Sequence, residues 1–373
     1  MLGDLDSGLP GPLFVATGGL HGNEPAGLEA IERVFRALAS GAVPFRGRVV
    51  GVAGNLGALG KGVRFLDRDL NRRWFPRELS DLVHRPDAHT GAEDSEQREL
   101  AEFYARLLRE HPGTAVFLDL HTTSADAPPF VAFADDPENL RHGRSLPIPN
   151  ILGLAEVLDG PMLSYFHDLG HACIVVEGGR HTDPGSADRL ESAFWLLLQS
   201  AGCIDGARLP DRERHRRRLR DAARGAPRLV EIRYRHGISA ADEFRMDSGF
   251  RSFQPVAKGD RLAQDRSGPI FAPLTGVLLM PLYQGQGEDG FFLARTVGRL
   301  HLGALLLLRR MRAERLLPLH PAVARHDRAP DAFVVDLRRA GKWTVGLLHL
   351  LGYRRIRPEG ERFLFSRRAS LPE

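Results

Sequence analysis

The chain has 373 residues, of which 43% are hydrophobic and 26% charged, enough for one large globular domain and a smaller companion. Two cysteines, Cys173 and Cys203, exclude a disulfide framework and a cysteine-based zinc site, so any transition metal has to be held by His, Asp or Glu. The net charge of +4 rests almost wholly on arginine, and the densest basic run, 212–228, lacks aromatics on which bases could stack, so no nucleic-acid partner is expected.

The opening MLGDLDSGLPGP is acidic and broken by Gly and Pro, which does not read as a signal peptide. Residues 13–18 then form an apolar run with β-branched Val15 and Thr17, the composition of a buried strand. It stops at Gly18-Gly19 and is followed by His21, Glu24 and Pro25. Leu28, Ile31, Val34, Phe35 and Leu38 recur at helical spacing, so a helix starts near Pro25. His21 and Glu24 therefore occupy a strand-to-helix turn, where open α/β sheets place their ligands. An imidazole and a carboxylate three residues apart can point at one small ion there; a surface hydrogen bond between them is the plainer alternative.

Residues 45–55 read as a second strand, and 61–74, KGVRFLDRDLNRRW, as a dense polar segment. Residues 94–110 predict an amphipathic helix with Leu100, Phe103, Leu107 and Leu108 on one face. AVFLDL, 115–120, is a buried strand that ends on His121. CIVV, 173–176, is another, ending on Glu177 before Gly178-Gly179. Residues 187–200 are helical, with Trp195, Leu196 and Leu197 on the apolar side. Strands alternating with helices predict an α/β/α sandwich with a mostly parallel sheet over residues 1–205. An arginine-rich linker or solvated helix is expected over 206–228, and short β runs over 229–300 predict a small all-β domain. The remainder, 301–373, reads as a mixed α+β extension. It has an apolar helix-like stretch at 302–312, a helix around 343–351 and a terminal hairpin. The most apolar run, 302–308, is far shorter than the ~20 residues of a membrane span, so no membrane partner and a cytoplasmic location are expected.

His21, Glu24, His121 and Glu177 thus hang on strand ends that a parallel sheet aligns along one edge. Two histidines and a glutamate form a zinc set with a fourth position for water, and zinc brings that water's pKa to about 7. Glu177, alone after its strand, suits the group that takes the water's proton and passes it to a leaving amine. Arg64 is a candidate for stabilising an oxyanion. Asn71 and Arg72 offer a neutral donor and a planar fork suited to a carboxylate. Against these stand a solvated strand-end histidine, a salt-bridged carboxylate and a charged surface loop held by its own Asp–Arg pairs.

In this order, GGLHGNEPAG, RFLDRDLNR, DLHTT and VVEGG resemble the signature of the succinylglutamate desuccinylase/aspartoacylase family, whose members are zinc-carboxypeptidase-like hydrolases; the likeness covers roughly residues 12–185. The resemblance implies one Zn2+ per chain on His21, Glu24 and His121, with Glu177 as general base and acid. It further implies Arg64 as the carbonyl-polarising group, Asn71 and Arg72 as substrate-carboxylate contacts, and a homodimer. MDSGFRSFQPVAKGDRLAQ and GPIFAPLTGVLLMPLYQGQGEDGFFL resemble the family's barrel-sandwich-like β domain, which packs over the cleft; Tyr283 or Glu288 could reach the site from there. The aspartoacylase branch clamps an acidic substrate with a further arginine before its VE motif. Residues 161–176 here contain no arginine, though they include His167 and His171. The expected function is a zinc-dependent deacylase in which zinc-bound hydroxide attacks the amide of an N-acyl amino acid or related small N-acyl amine. A carboxypeptidase or esterase using the same site, and a non-catalytic metal-dependent binding module, are the alternatives.

Overall fold

In the computed structural model, which describes residues 1–85, 91–298, 307–308, 311–327, 329, 332–353 and 355–366, seven strands come from the first half of the chain. They are β1 (Gly3–Asp6), β2 (Leu13–Gly18), β3 (Arg48–Ala53), β4 (Ala115–Thr123), β5 (Phe130–Ala132), β6 (Asn150–Leu152) and β7 (Ala172–Arg180). Both β2 and β4 are buried at every position. That is why they read as continuous apolar runs without alternation: a sheet covered on both faces has no polar side to show.

The cover is built from helices whose apolar stripes the sequence spells out. On one face lie α1 (Ala26–Ala39), α5 (Pro137–Ser145) and α8 (Ser186–Ala201). There Ile31, Phe35, Leu140, Phe194 and Leu197 meet Phe14, Val116, Leu118, Ile174 and Val176 of the strands. On the other face lie α3 (Pro76–His84), α4 (Ala92–Glu110) and α7 (Met162–Asp168), whose Leu79, Leu100, Tyr104, Leu107 and Phe166 pack on Val15, Val52, Phe117 and Cys173. Successive strand residues belong to opposite clusters, the period of two expected of a pleated strand. Two shorter helices complete this part, α2 (Leu56–Lys61) and α6 (Leu154–Val157).

Beyond α8, Arg212–Ala222 forms a helix (α9) rather than a bare connector. Its Leu219 is fully buried in the α1/α8 cluster, and the ring of His215 lies 3.1 Å from the Ser192 hydroxyl. Then come β8 (Leu229–Gly237), β9 (Arg245–Met246), β10 (Gln254–Val256), β11 (Arg261–Asp265), β12 (Gly268–Phe271), β13 (Gly276–Leu279) and β14 (Asp289–Thr296). One sheet runs β1-β3-β2-β4-β7-β5-β6-β8-β14-β13-β10, while β12-β11-β9 form a second. From β3 to β8 the neighbours are parallel except where β5 meets β7, and from β8 to β10 they are antiparallel. The fold is thus mixed α/β, with a large central sheet and small antiparallel additions. β8 serves both halves: Leu229–Glu231 pair with β6, and the same strand pairs along its length with β14.

The last unit is a separate four-stranded antiparallel sheet, in the order β15 (Val323–Arg325), β16 (Ala332–Val335), β18 (Arg362–Ser366) and β17 (Arg355–Glu359). It is packed by α10 (Lys342–Leu350) through Leu348, with Leu351, Tyr353, Phe333 and Phe365. The expected helix and terminal hairpin are present. The expected helix-like stretch at 302–312 falls largely outside the described residues. Among the described residues no helix is long and apolar enough to cross a membrane.

His142, on α5, is buried with Nδ1 3.0 Å from the Ser200 hydroxyl and Nε2 2.9 Å from the Arg141 guanidinium. Burial, helped by Arg141, lowers its pKa to about 4 from 6.5. A folded-state pKa below the unfolded one means that the unfolded chain binds the extra proton first, so stability is lost as pH falls from about 6.5 towards 4. Denaturant melts at pH 7 and pH 5 should show about 2 kcal/mol less loss in His142→Asn than in the native chain. Equal losses would show that His142 does not resist protonation.

Candidate functional site

The turn after β2 is shaped by backbone approach. Gly19 has φ +72°. A Cβ on Gly22 would sit 2.1 Å from the Ala58 carbonyl carbon, so only glycine lets the turn lie against α2. The Gly22 N–H donates to the Arg64 carbonyl at 3.1 Å, which ties this turn to the polar segment 61–74. Pro25 caps α1 as expected, leaving His21 and Glu24 on the turn, both buried.

β4 and β7 do not stop where the apolar runs stop. β4 continues through His121 to Thr123, and β7 through Glu177 to Arg180. His121 and Glu177 are direct partners across this ladder, and the register shifts between His121 and Thr123. The shift is a bulge at Gly178-Gly179, with Gly179 at φ +116°. It lets pairing continue while the polar side chains emerge, something that the end of an apolar run cannot reveal.

His21, Glu24 and His121 each offer a donor atom, and these atoms lie within 4.8 Å of one another. Glu24 is central: its Oε1 is 2.8 Å from His21 Nδ1, its Oε2 is 3.1 Å from His121 Nδ1, and Oε2 also accepts the Thr122 N–H at 2.7 Å. The outer nitrogens are held too. His21 Nε2 is 3.2 Å from Asp69 Oδ1, and His121 Nε2 is 2.7 Å from Asp119 Oδ2. A buried carboxylate behind each imidazole orients the ring and raises its basicity, the arrangement found around metal-bound histidines. The donor set therefore fits a divalent transition metal.

The charges follow this geometry. Burial pushes the Glu24 carboxyl up, but the two histidines outweigh it and hold it well below the ordinary range. Burial pulls His121 down, and Asp119 and Glu24 lift it well above 6.5. Glu177 goes the other way: burial, with Glu24 and Asp119 nearby, pushes it up to about 8, and its Oε2 is buried without a hydrogen-bond partner.

The segment 64–72 is folded around Glu93 of α4. That buried carboxylate accepts the N–H groups of Leu66, Asp67 and Arg68 and the Asn55 side-chain amide. Arg64 grips Asp69 through Nε and Nη2 at 3.1 and 2.8 Å, and its Nη1 is 3.8 Å from Glu24 Oε1. Asn71 takes the Met162 N–H on its side-chain oxygen, so its amide end is the one left to face a ligand. Arg72 donates to Asp289 at 2.9 Å and to the Asn71 carbonyl, and its buried Nε has no partner.

His21, Glu24, Arg64, Asn71, Arg72, His121 and Glu177 all line one cavity of about 150 Å³. Its far wall comes from the 280–292 region, including Met280, Leu282, Glu288, Asp289 and Phe292. Glu288 reaches the cavity. Tyr283 does not line it: its hydroxyl donates to the Asp247 carbonyl and accepts the Phe250 N–H. Residues that sequence reasoning passed over are Asp69 and Asp119 behind the histidines, Glu93 beneath the loop, Asp289 on Arg72, and His181. The His181 ring lies 2.7 Å from the Thr122 hydroxyl and 3.3 Å from Gln284. The first two carried a signal, an acid two residues before each His or Asn of the DLH and DLN motifs. The others carried none.

Residues 10–190 match the succinylglutamate desuccinylase/aspartoacylase catalytic domain. A succinylglutamate desuccinylase of Pseudomonas putida KT2440 is 38% identical over 111 residues, 29% of this chain and 30% of that protein. One from Pseudomonas aeruginosa LESB58 is 27% identical over 285 residues, 72% of this chain and 77% of its own length. The chain thus spans about a third of the first relatives it matches and three quarters of the longer match. Among solved structures, the ectoine utilization protein of Ruegeria pomeroyi superposes with a TM-score of 0.55 at 21% identity, covering 79% of this chain and 87% of that one. A succinylglutamate desuccinylase of Chromobacterium violaceum also gives 0.55, at 18% identity over 79% and 88%. At these identities the likeness establishes the fold.

Removing the carboxylate behind His121 frees its ring, so Asp119→Ala should loosen a bound divalent ion by about 10–100-fold in competition with a chelator. Unchanged affinity would show that Asp119 does not support the His121 ring as a ligand.

Proposed function

We propose that the chain is a zinc-dependent deacylase that hydrolyses the amide of an N-acyl amino acid or related small N-acyl amine. The observation that carries this reading is the meeting of three buried donors, each histidine backed by a carboxylate, with a partnerless Glu177 directly across the ladder. His21, Glu24 and His121 would hold the ion, which when bound supplies a Lewis acid and a water acidified to near neutrality.

The remaining work falls to the protein. Glu177 lines the cavity with its Oε2 unengaged, and its raised pKa makes it a strong base in its ionised form, which takes a proton from the attacking water and returns it to the departing amine nitrogen. Arg64 is fixed by Asp69 with one edge turned towards Glu24, so its charge is in place before the oxyanion develops and no reorganisation is needed. Asn71 and Arg72 bind a substrate carboxylate through the Asn71 amide and the unpartnered Arg72 Nε. The wall supplied by 280–292 closes one side of the cleft, which favours small amides over extended peptides.

The purified chain should carry about one zinc ion, as expected for a single three-ligand site. It should also turn over a panel of N-acetyl and N-succinyl amino acids. Glu177→Ala should lower kcat by about 10²–10⁴ while metal content stays unchanged. Full turnover in that variant, or a protein that takes up no zinc, would sink the reading. Zinc with tight ligand binding and no turnover by the native chain would favour a binding module instead.

A further inference from the structure

Behind the catalytic cavity lies a second one of about 50 Å³ with an almost wholly apolar lining. Leu154, Leu158, Pro161 and Val175 line both, so the two lie side by side, a polar cavity in front and an apolar one at the back. We infer that this back chamber selects the substrate, and that the amino-acid part of the substrate carries a short apolar side chain rather than an acidic one. The inference rests on the deacylase reading above.

The geometry is that of a single tetrahedral carbon. An amino acid's α-carbon bears its amine, its carboxylate and its side chain. The amine has to approach Glu177, and the carboxylate has to approach Asn71 and Arg72. Val175 lies two residues before Glu177 on β7, on the same face of the strand. Pro161 immediately precedes Met162, whose N–H is bound by the Asn71 side chain, and the Trp74 N–H donates to the Gly160 carbonyl at 3.0 Å. The wall between the two polar contacts is therefore Val175, Leu158 and Pro161, and the third substituent points there. Its size is limited: the added volume equals on the order of two liquid water molecules, suited to about two to four carbons.

Charge excludes the alternative. Arg64 and Arg72 are the arginines among the described residues lining the catalytic cavity, and each already has a carboxylate, Asp69 and Asp289. Glu288 adds a further carboxylate to the 280–292 wall. A second substrate carboxylate would meet apolar carbon at the back or anionic oxygen at the front. Burying a charge without a partner is strongly unfavourable in either place.

The test compares kcat/KM for N-acetyl-leucine, N-acetylmethionine, N-acetylglycine, N-acetylaspartate and N-succinylglutamate. The leucine and methionine substrates should exceed the two acidic ones by about tenfold or more. Ala155→Leu, which fills the chamber from the half-exposed helix α6, should lower the leucine-to-glycine ratio about tenfold. Leu158→Arg, which supplies an unpaired cation, should raise the aspartate-to-leucine ratio by a similar factor. Faster turnover of the acidic substrates by the native chain would overturn the assignment and leave the deacylase standing. Turnover of none of the five would overturn both.

Discussion

The site depends on one carboxylate shared by two imidazoles. Asp119, His121, Glu24, His21 and Asp69 form a buried line in which acid and base alternate, and Arg64 closes its far end. Its members come from three parts of the chain, the turn after β2, the 64–72 segment and β4, and none could be buried alone without a large desolvation cost. Charge alternation is what makes the line tolerable in the interior. It also fixes both rings before any ion arrives, because each imidazole is held at both nitrogens. Removing any one acid leaves a histidine free to turn, and removing Glu24 unties both rings at once.

Two devices hold that line in place. The central sheet, buried on both faces by apolar residues of opposite parity, sets β2, β4 and β7 side by side with their carboxyl ends aligned. Glu93 then pins the loop that brings in Asp69, by binding three consecutive backbone N–H groups. The sheet is generic in its physics and the Glu93 anchor is specific. A parallel core of this kind supports many chemistries, and the loop chooses this one.

Much of this was legible in the chain itself. His121 and Glu177 follow apolar runs directly, and His21 and Glu24 lie on the turn after one, so the strand pattern alone placed all four along one edge. The motifs resembling the desuccinylase/aspartoacylase family placed Arg64, Asn71 and Arg72 beside them, and all seven line one cavity. Less was legible where long-range pairing decides. Nothing in AVFLDL or CIVV says that the ladder runs on through His121 and Glu177, because a bulge at two glycines carries it. Glu93 reads as an ordinary helical acid among others, since its burial comes from a loop folded over it. Asp289 sits more than two hundred residues from Arg72. The apolar back chamber is assembled from β5, α6, α7 and β7, none of which shows it alone.

The sharing of β8 between the two halves of the large sheet has a mechanical meaning. A cover joined to its base by a flexible connector can swing, but here the join is a strand hydrogen-bonded to β6 on one side and β14 on the other. The 280–292 wall is therefore part of the same beam as the edge that carries His121 and Glu177. Rigid-body opening would have to break a ladder, so passage in and out is left to side chains and the short loop 280–288. Cutting the chain before β8 would do more than uncover the cleft: it would leave β6 as a raw sheet edge with unpaired amides, a surface prone to pair with another copy.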